Sequence, residues 1–422
     1  MTSADALLKR PSPMRVGTDI FWAVALGWFA YTLSCWLVEP VPKAHGFGEQ
    51  WLEMSKDPFA LFGQFPHRVL APFLAWLFGA GGDSYIAFTH VLHIVMLSSV
   101  FLVVVRLRGL YFDAFLVTCA VAITAPVQLY KQHWSGYTDP ICYTLFLWMI
   151  IVARNPYVFW LLFLTNLMNH ELAGFLVPWL WFLRRRQDSR WRLDLICMAS
   201  AMAIYVAYYF WIKGSVEQTY SVDYFLANPL FPGGTFVVWN LAAVHYTCTF
   251  GPLLAVLAWH QMTSKQVGER WHLWLVTLGI LVIFCIAFDW SRHSNLMLLP
   301  LVIAATRFLG VGNGNRALFV GLLLVSVVLF WMVPPWSPTA WPTNELVDGS
   351  AEWCAANPDK KFFLDTGIVV PTSAGIGFGP MSAAMGNWLP RVWQLLVTIH
   401  VIGLLFWCAG WLWARHENRL IR

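Results

Sequence analysis

The sequence predicts an all-α protein, a polytopic bundle of transmembrane helices with about 11–13 membrane segments and both termini inside. Composition is the first reason: of 422 residues, 59% are hydrophobic and 12% are charged. Mean hydropathy is +0.59, far outside the range of soluble domains. The second reason is the length of the apolar runs, several of which approach the roughly 20 residues that a helix needs to cross a bilayer.

The apolar runs define the elements in chain order. The run 20–38 follows a polar segment and has no small-residue cleavage site after it, so we expect it to be the first span and not a cleaved signal. Further runs lie at 84–105, 110–128, 141–153, 157–183, 193–212, 237–259, 272–288, 294–309, 317–333 and 389–414. None shows the alternation of an outer-membrane strand, which excludes a transmembrane β-barrel.

The run 157–183 is interrupted by Asn169, His170 and Glu171, and basic residues flank it on both sides. A single crossing would put one basic flank outside, whereas a hairpin that turns at the three polar residues keeps both flanks inside. We therefore predict two short crossings. The resulting topology has about twelve crossings and keeps about two-thirds of the Lys and Arg residues inside.

Three regions follow from this topology. Residues 1–333 form a transmembrane core that includes a first external loop at 39–83; residues 334–388 form a small external loop or lid; residues 389–422 form the last span and a cytoplasmic tail. The second half of the first loop, 67–80, is too short to span and is predicted as an interfacial helix.

Ionisable residues gather at the predicted outer ends of the apolar runs. Because charges beside hydrocarbon are costly, such a cluster at one membrane face indicates a site. The candidate binding residues are Arg68, Lys131, His133, Asp139, His170, Asp289 and Arg292.

The first loop contains an acidic, aromatic patch, then a polar stretch, then an Arg-x-x-x-Pro helix that ends in Gly. The residues concerned are Glu49, Trp51, Met54, Asp57, Pro58, Arg68, Pro72 and Gly79. This pattern resembles the first external loop of the glycosyltransferase C superfamily of integral membrane enzymes. The acidic hairpin tip at Glu171 and the late series Asp289, Arg292 and Pro300 are also similar to that family.

The resemblance implies a sugar carried on a polyprenyl phosphate and transferred to a lipid, glycan or protein acceptor at the external face. The family usually places an Asp where this chain has the patch 45–49, whose acidic residue is Glu49. Candidate catalytic carboxylates are therefore Glu49, Glu171 and Glu39, which would take a proton from the acceptor. Arg68, Lys131 and Arg292 are candidate partners of the departing phosphate.

The sequence predicts no cofactor outright, although external histidines and carboxylates leave a divalent metal open. The net charge of +5 follows from the inside bias of Lys and Arg and requires no nucleic-acid partner. Expected partners are the polyprenyl-phosphate sugar and membrane lipid, and the expected location is a bacterial inner membrane with the active face toward the periplasm.

Two other functions fit the same residues. A transporter or flippase of a lipid-linked or anionic substrate would use the same cations, but it should show related halves or broken helices near the midplane. A non-catalytic relative that serves as a partner or scaffold is the other alternative, because the family's Asp is missing from the first-loop patch.

Overall fold

The computed structural model describes residues 13–37, 39–44, 47–61, 65–131, 134–187, 190–216, 252–264, 267–284, 290–332, 370–372 and 375–377. Within these ranges the chain forms a bundle of α-helices and one short two-stranded antiparallel ribbon. The last span predicted at 389–414 lies outside them, as does most of the predicted external loop at 334–388.

The first half of the bundle contains eleven described helices. They are α1 (Pro13–Leu37), α2 (Phe47–Met54), α3 (Leu70–Leu77), α4 (Tyr85–Arg108), α5 (Tyr111–Ala122), α6 (Ala125–Lys131), α7 (Asp139–Ile151), α8 (Pro156–Asn169), α9 (Leu172–Phe175), α10 (Val177–Arg185) and α11 (Trp191–Ser215). The described second half contains α12 (Pro252–Met262), α13 (Val267–Phe284), α14 (Trp290–Ser294), α15 (Leu298–Leu309) and α16 (Asn313–Met332), followed by β1 (Val370–Thr372) and β2 (Gly375–Gly377).

Three described helical segments are long and apolar enough to cross a membrane: Val16–Leu37, Gly82–Arg108 and Trp191–Ser215. A fourth is added if α5 and α6 count as one bent span. Of these three, Gly82–Arg108 is largely enclosed, since 78% of its most apolar stretch is buried within the protein. The corresponding share is 28% for Val16–Leu37 and 17% for Trp191–Ser215. Helix α4 is therefore central, while α1 and α11 leave long apolar faces exposed.

The apolar run 110–128 is broken into α5 and α6 with a bend of 42°. Pro126 is the cause, because it has no backbone N–H to donate to Ala122. The side chain of Gln128 replaces that bond, since its Nε2 donates to the Ala122 carbonyl at 2.9 Å. Thr124, at the break, turns its hydroxyl back to the Ala120 carbonyl at 2.8 Å, a contact that often bends helices.

The run 157–183 reverses direction as the hairpin hypothesis predicts. Arg184, at the end of α10, donates to the Ala153 carbonyl just before α8 begins. Its Nε also donates to Asp194 at 2.8 Å, and Asp194 accepts from the indole of Trp160 in α8 at 2.9 Å. The two ends of the run thus meet at one end of the bundle, and the turn at His170 and Glu171 lies at the other.

The first loop holds two short helices, α2 and α3, where the sequence predicted one interfacial helix. That predicted helix, 67–80, is observed as the shorter α3, Leu70–Leu77. Helix α2 packs against the segment that contains Tyr137 and the glycine at 136. The Phe47 amide donates to the Tyr137 hydroxyl at 3.2 Å. The rings of Trp51 and Tyr137 pack edge to face, with 4.9 Å between their centroids. The loop is therefore packed onto the end of the bundle.

Candidate functional site

Four segments that are distant in sequence meet at the end of the bundle that carries the α8–α9 turn. Their ionisable side chains form a continuous series of contacts, which we call the ionic chain. Its members are Asp139, Arg292, His170, Glu171 and Arg68.

Asp139 and Arg292 form the inner ion pair of the ionic chain. Arg292 Nε lies 2.9 Å and 3.0 Å from the two carboxylate oxygens, and the two residues are only 1% and 3% exposed. The guanidinium also lies over the ring of Tyr137, 4.8 Å from its centroid. Since burying charges is costly unless each is paired, this arrangement depends on both partners being present.

His170 joins the inner pair to the outer one. Arg292 Nη2 lies 2.6 Å from His170 Nε2, and because guanidinium nitrogens only donate, Nε2 is the acceptor and the ring proton is on Nδ1. The Leu172 amide also points at Nδ1, at 3.3 Å, but a neutral ring cannot accept at both nitrogens and the shorter contact decides. Nδ1–H then faces Glu171 Oε2 at 3.6 Å.

Burial, followed by the charge of Arg68, lowers the pKa of His170 well below its usual value. The ring is therefore neutral at physiological pH, which agrees with the positive charges of Arg68 and Arg292 nearby. A neutral imidazole can orient Glu171 without adding a third positive charge to the cluster.

Glu171 and Arg68 form the outer ion pair. Arg68 Nε donates to Glu171 Oε2 at 2.9 Å, and its Nη2 donates to Oε1. His67 Nε2 lies 3.4 Å from the same Oε2. The Glu171 side chain keeps 36% of its surface exposed, whereas that of Arg68 keeps 6%. Glu171 is therefore the member of the ionic chain through which the site opens.

Burial alone would raise the pKa of Glu171, but the charge of Arg68 holds that pKa well below its usual value. Glu171 is thus an ionised carboxylate whose affinity for a proton is reduced by the neighbouring guanidinium. Any change that draws Arg68 away would return the basicity of Glu171 toward its ordinary level.

Two histidine nitrogens at the site have no hydrogen-bond partner among the described residues: Nδ1 of His67 and Nδ1 of His293. The two residues are 6% and 3% exposed. Buried polar atoms are normally paired with protein groups or ordered water. The site therefore has unused polar capacity beside the two arginines.

The other predicted site residues lie outside the ionic chain. Glu49, in the first turn of α2, is exposed, and so is Glu39, which follows α1. Lys131 is fully buried at the end of α6, where its Nζ donates to the Ser34 carbonyl at 2.6 Å. His133 and Asp289 lie outside the described residues. Among the described residues, the carboxylate that pairs with Arg292 is that of Asp139, 153 residues earlier in the chain.

Sequence reasoning missed the contribution of α11. The Tyr208 hydroxyl donates to the His67 carbonyl at 3.2 Å, and the ring of Tyr209 lies 5.2 Å from that of His67. With Tyr205, these tyrosines are spaced at i, i+3 and i+4, which places them on one helix face. This row of tyrosines on one helix face was the sequence pattern that could have indicated a contribution of α11 to the site.

No group of three or more His, Cys, Asp or Glu residues is arranged to hold a metal ion within the part of the chain that the structure describes. The ionic chain itself has one neutral imidazole between alternating charges, and its carboxylates are already occupied by guanidinium groups.

Comparison with protein-family models, with curated proteins and with solved structures finds no match to this chain.

Proposed function

We propose that the protein is a membrane-embedded glycosyltransferase that moves a sugar from a polyprenyl-phosphate donor to a lipid, glycan or protein acceptor. The observation that carries the proposal is the outer ion pair: a partly exposed carboxylate, Glu171, held by a buried arginine, Arg68. An arginine that binds a carboxylate with both nitrogens is equally suited to a phosphate.

The pair supplies a way to couple donor binding to activation of the base. A donor phosphate that binds Arg68 competes with Glu171 for the guanidinium, and the carboxylate regains basicity as it is released. Glu171 then accepts the proton of an acceptor hydroxyl. The hydroxyl oxygen forms a bond to the anomeric carbon, the bond from that carbon to the phosphate oxygen breaks, and the electron pair leaves with the phosphate.

The remaining members of the ionic chain act as positioning residues. Asp139 fixes Arg292, which fixes the tautomer of His170, whose Nδ1–H faces Glu171. The Nδ1 atoms of His67 and His293, which have no partner among the described residues, are candidate donors or acceptors toward the phosphate or the sugar. Charge that develops on the leaving phosphate is stabilised by Arg68, with Arg292 behind it.

The apolar spans support a membrane location, and the two short helices between the first and second spans support the resemblance to the glycosyltransferase C superfamily. We place the ionic chain at the periplasmic face of a bacterial inner membrane, because the opposite end of the bundle carries more arginine. Of the three candidate bases, Glu171 is favoured because it lies against Arg68, whereas Glu49 and Glu39 are exposed.

The proposal is tested by turnover of a panel of labelled polyprenyl-phosphate sugars by protein in lipid nanodiscs. Glu171→Gln should lower the rate by about 10²-fold or more, the contribution of a positioned general base. Glu49→Gln tests the family-like position directly. Glu53→Gln is the matched control, since Glu53 is exposed in the same helix and pairs with Lys56 at 2.7 Å.

Loss in Glu49→Gln with full activity in Glu171→Gln would overturn the assignment of the base. Absence of turnover by folded wild-type protein with every donor would overturn glycosyl transfer itself and favour transport or a non-catalytic role. Arg68→Gln adds a separate readout: because donor binding is weakened, its KM for the donor should rise by about tenfold or more.

A further inference from the structure

A second polar cleft lies at the opposite end of the bundle, where α10 ends. It is a shallow cleft that opens to solvent. Its polar lining is supplied by Arg186, Gln187, Glu269, His272 and Arg307, and apolar residues that include Leu107 form the remaining wall. About 14 residues of α9 and α10 separate this end from Glu171, which corresponds to roughly 20 Å of helix.

The charges in this cleft are incompletely matched. Glu269 Oε1 is shared by Arg186 Nη1 at 3.3 Å and Arg307 Nη2 at 3.7 Å, long separations for charge-assisted pairs. The second oxygen, Oε2, is buried and has no hydrogen-bond partner among the described residues. Two guanidinium groups therefore share one carboxylate oxygen, and the other oxygen is left unsatisfied.

The imidazole of His272 turns an N–H donor toward the guanidinium of Arg186. The indole of Trp179 donates to His272 Nδ1 at 3.1 Å, so the proton of the neutral ring is on Nε2. That Nε2–H lies 3.3 Å from Arg186 Nη1, which is also a donor. Two donors that face each other at this distance are satisfied together by an acceptor bound beside them.

Arg186 is held in place although its side chain is 24% exposed. A Cβ on residue 268 would lie 3.2 Å from Arg186 Cζ, so the glycine there lets the guanidinium rest against the start of α13. The ring of Phe182 lies 5.8 Å from Cζ on another side. The cationic part of the cleft is thus preformed.

We infer that this cleft binds the head group of a membrane phospholipid whose phosphodiester carries a primary ammonium, as in phosphatidylethanolamine. The phosphate oxygens bind Arg186, Arg307 and His272 Nε2–H, and the ammonium donates to Glu269 Oε2. One ligand then satisfies the facing donors and the unsatisfied carboxylate oxygen together. Basic pockets between membrane helices are known to bind the phosphate-bearing head groups of lipids.

A lipid is favoured over a free phosphoamine by what surrounds the cleft. Leu107, Ile150 and Ile303 line it beside the arginines, and Trp271 and Trp274 of α13 are 48% and 53% exposed. Tryptophan at a helix end is typical of the bilayer interface. The acyl chains would extend along this apolar surface while the head group remains in the cleft.

The test is retention of lipid by purified full-length protein in detergent, measured by native mass spectrometry with phosphatidylethanolamine, phosphatidylglycerol, phosphatidylcholine and soluble glycerophosphoethanolamine. Phosphatidylethanolamine should bind at least about tenfold more tightly than the other two lipids, the contribution of one charge-assisted hydrogen bond. Phosphatidylcholine lacks the N–H donors, and phosphatidylglycerol lacks the cation. The soluble head group should bind more weakly than the lipid.

Glu269→Gln should abolish the preference for phosphatidylethanolamine over phosphatidylglycerol, and Arg307→Gln should weaken both. The Arg307 side chain is 32% exposed, so Arg307→Gln should disturb the fold less than Glu269→Gln. Arg307→Gln therefore still tests the cleft if Glu269→Gln does not fold. Arg316→Gln is the control, because Arg316 lies at the same end of the bundle but pairs with Asp113 at 2.7 Å.

Equal retention of the three lipids, or a preference unchanged in both Glu269→Gln and Arg307→Gln, would overturn the assignment. Binding of the soluble head group as tight as that of the lipid would also overturn it, and would identify a free phosphoamine as the ligand. None of these results depends on glycosyl transfer.

Discussion

Removing the charge of Asp139 is expected to destabilise the protein strongly, because it breaks the buried ion pair between Asp139 and Arg292. Asp139→Asn keeps one side-chain oxygen, so one of the two contacts from Arg292 Nε, at 2.9 Å and 3.0 Å, can survive. Breaking a buried ion pair costs about 3–5 kcal/mol. With one hydrogen bond kept, we expect a loss of about 3 kcal/mol in the free energy of unfolding.

The same reasoning predicts rescue by removing both charges. In Asp139→Leu combined with Arg292→Met, both charges of the pair are removed, and such replacements are often neutral or stabilising. The double variant should therefore be more stable than Asp139→Asn, although it loses the contact that orients His170. We expect its fold to survive and its turnover to fall.

The free energy of unfolding is measured by SDS titration in mixed micelles, followed by far-UV circular dichroism. Asp57→Asn is the matched control, because Asp57 is exposed and its carboxylate accepts from the nearby Phe59 amide at 3.1 Å. Its effect should stay within about 0.5 kcal/mol. An equally small effect for Asp139→Asn, or a double variant less stable than Asp139→Asn, would refute the buried ion pair.

Three further predictions concern other parts of the bundle. Gly48→Ala should destabilise the protein by about 1–3 kcal/mol, because a Cβ there would collide with the carbonyl oxygen of Ser135; unchanged unfolding in SDS would show that α2 does not pack this closely. Asp194→Leu should cost about 3–5 kcal/mol, because Arg184 and Asp194 are both fully buried; adding Arg184→Met should restore stability, and failure to do so would contradict the prediction. The pKa of Glu171 is lowered in the folded protein, so its ion pair stabilises the fold above the unfolded value of 4.5 and is lost as the pH falls through the folded-state pKa. The difference in thermal midpoint between wild type and Glu171→Gln should therefore be constant from neutral pH down to about 4.5 and shrink below it, and a difference that shrinks already near neutral pH would contradict the lowered pKa.

Local sequence patterns predicted much of the fold. The apolar runs at 84–105 and 193–212 correspond to α4 and α11, because burial or lipid contact requires long apolar helices. The flanking arginines and the three polar residues in run 157–183 predicted its reversal, which Arg184 confirms through its contact with Ala153. Apolar runs and flanking charges are both local features of the sequence. They therefore predict structure over a few helical turns, but they do not predict contacts between distant segments.

The bend within run 110–128 and the helix α2 were not predicted. The bend depends on Gln128 replacing a hydrogen bond that Pro126 cannot make, and proline in a membrane span is often tolerated without a break. Helix α2 has eight residues, and helices of that length form through packing rather than through their own propensity. Its contact with Tyr137 joins segments 90 residues apart.

The candidate site was predicted by residue type and only partly by arrangement. The sequence by itself determined a helical chain with apolar spans and a set of costly polar residues at their ends, because those features are local and chemical. Only the tertiary structure decided that Arg292 pairs with Asp139 and that Arg68 pairs with Glu171, across 153 and 103 residues. Such pairings depend on how helices pack against one another, and a charge in the sequence specifies the need for a partner without specifying which one.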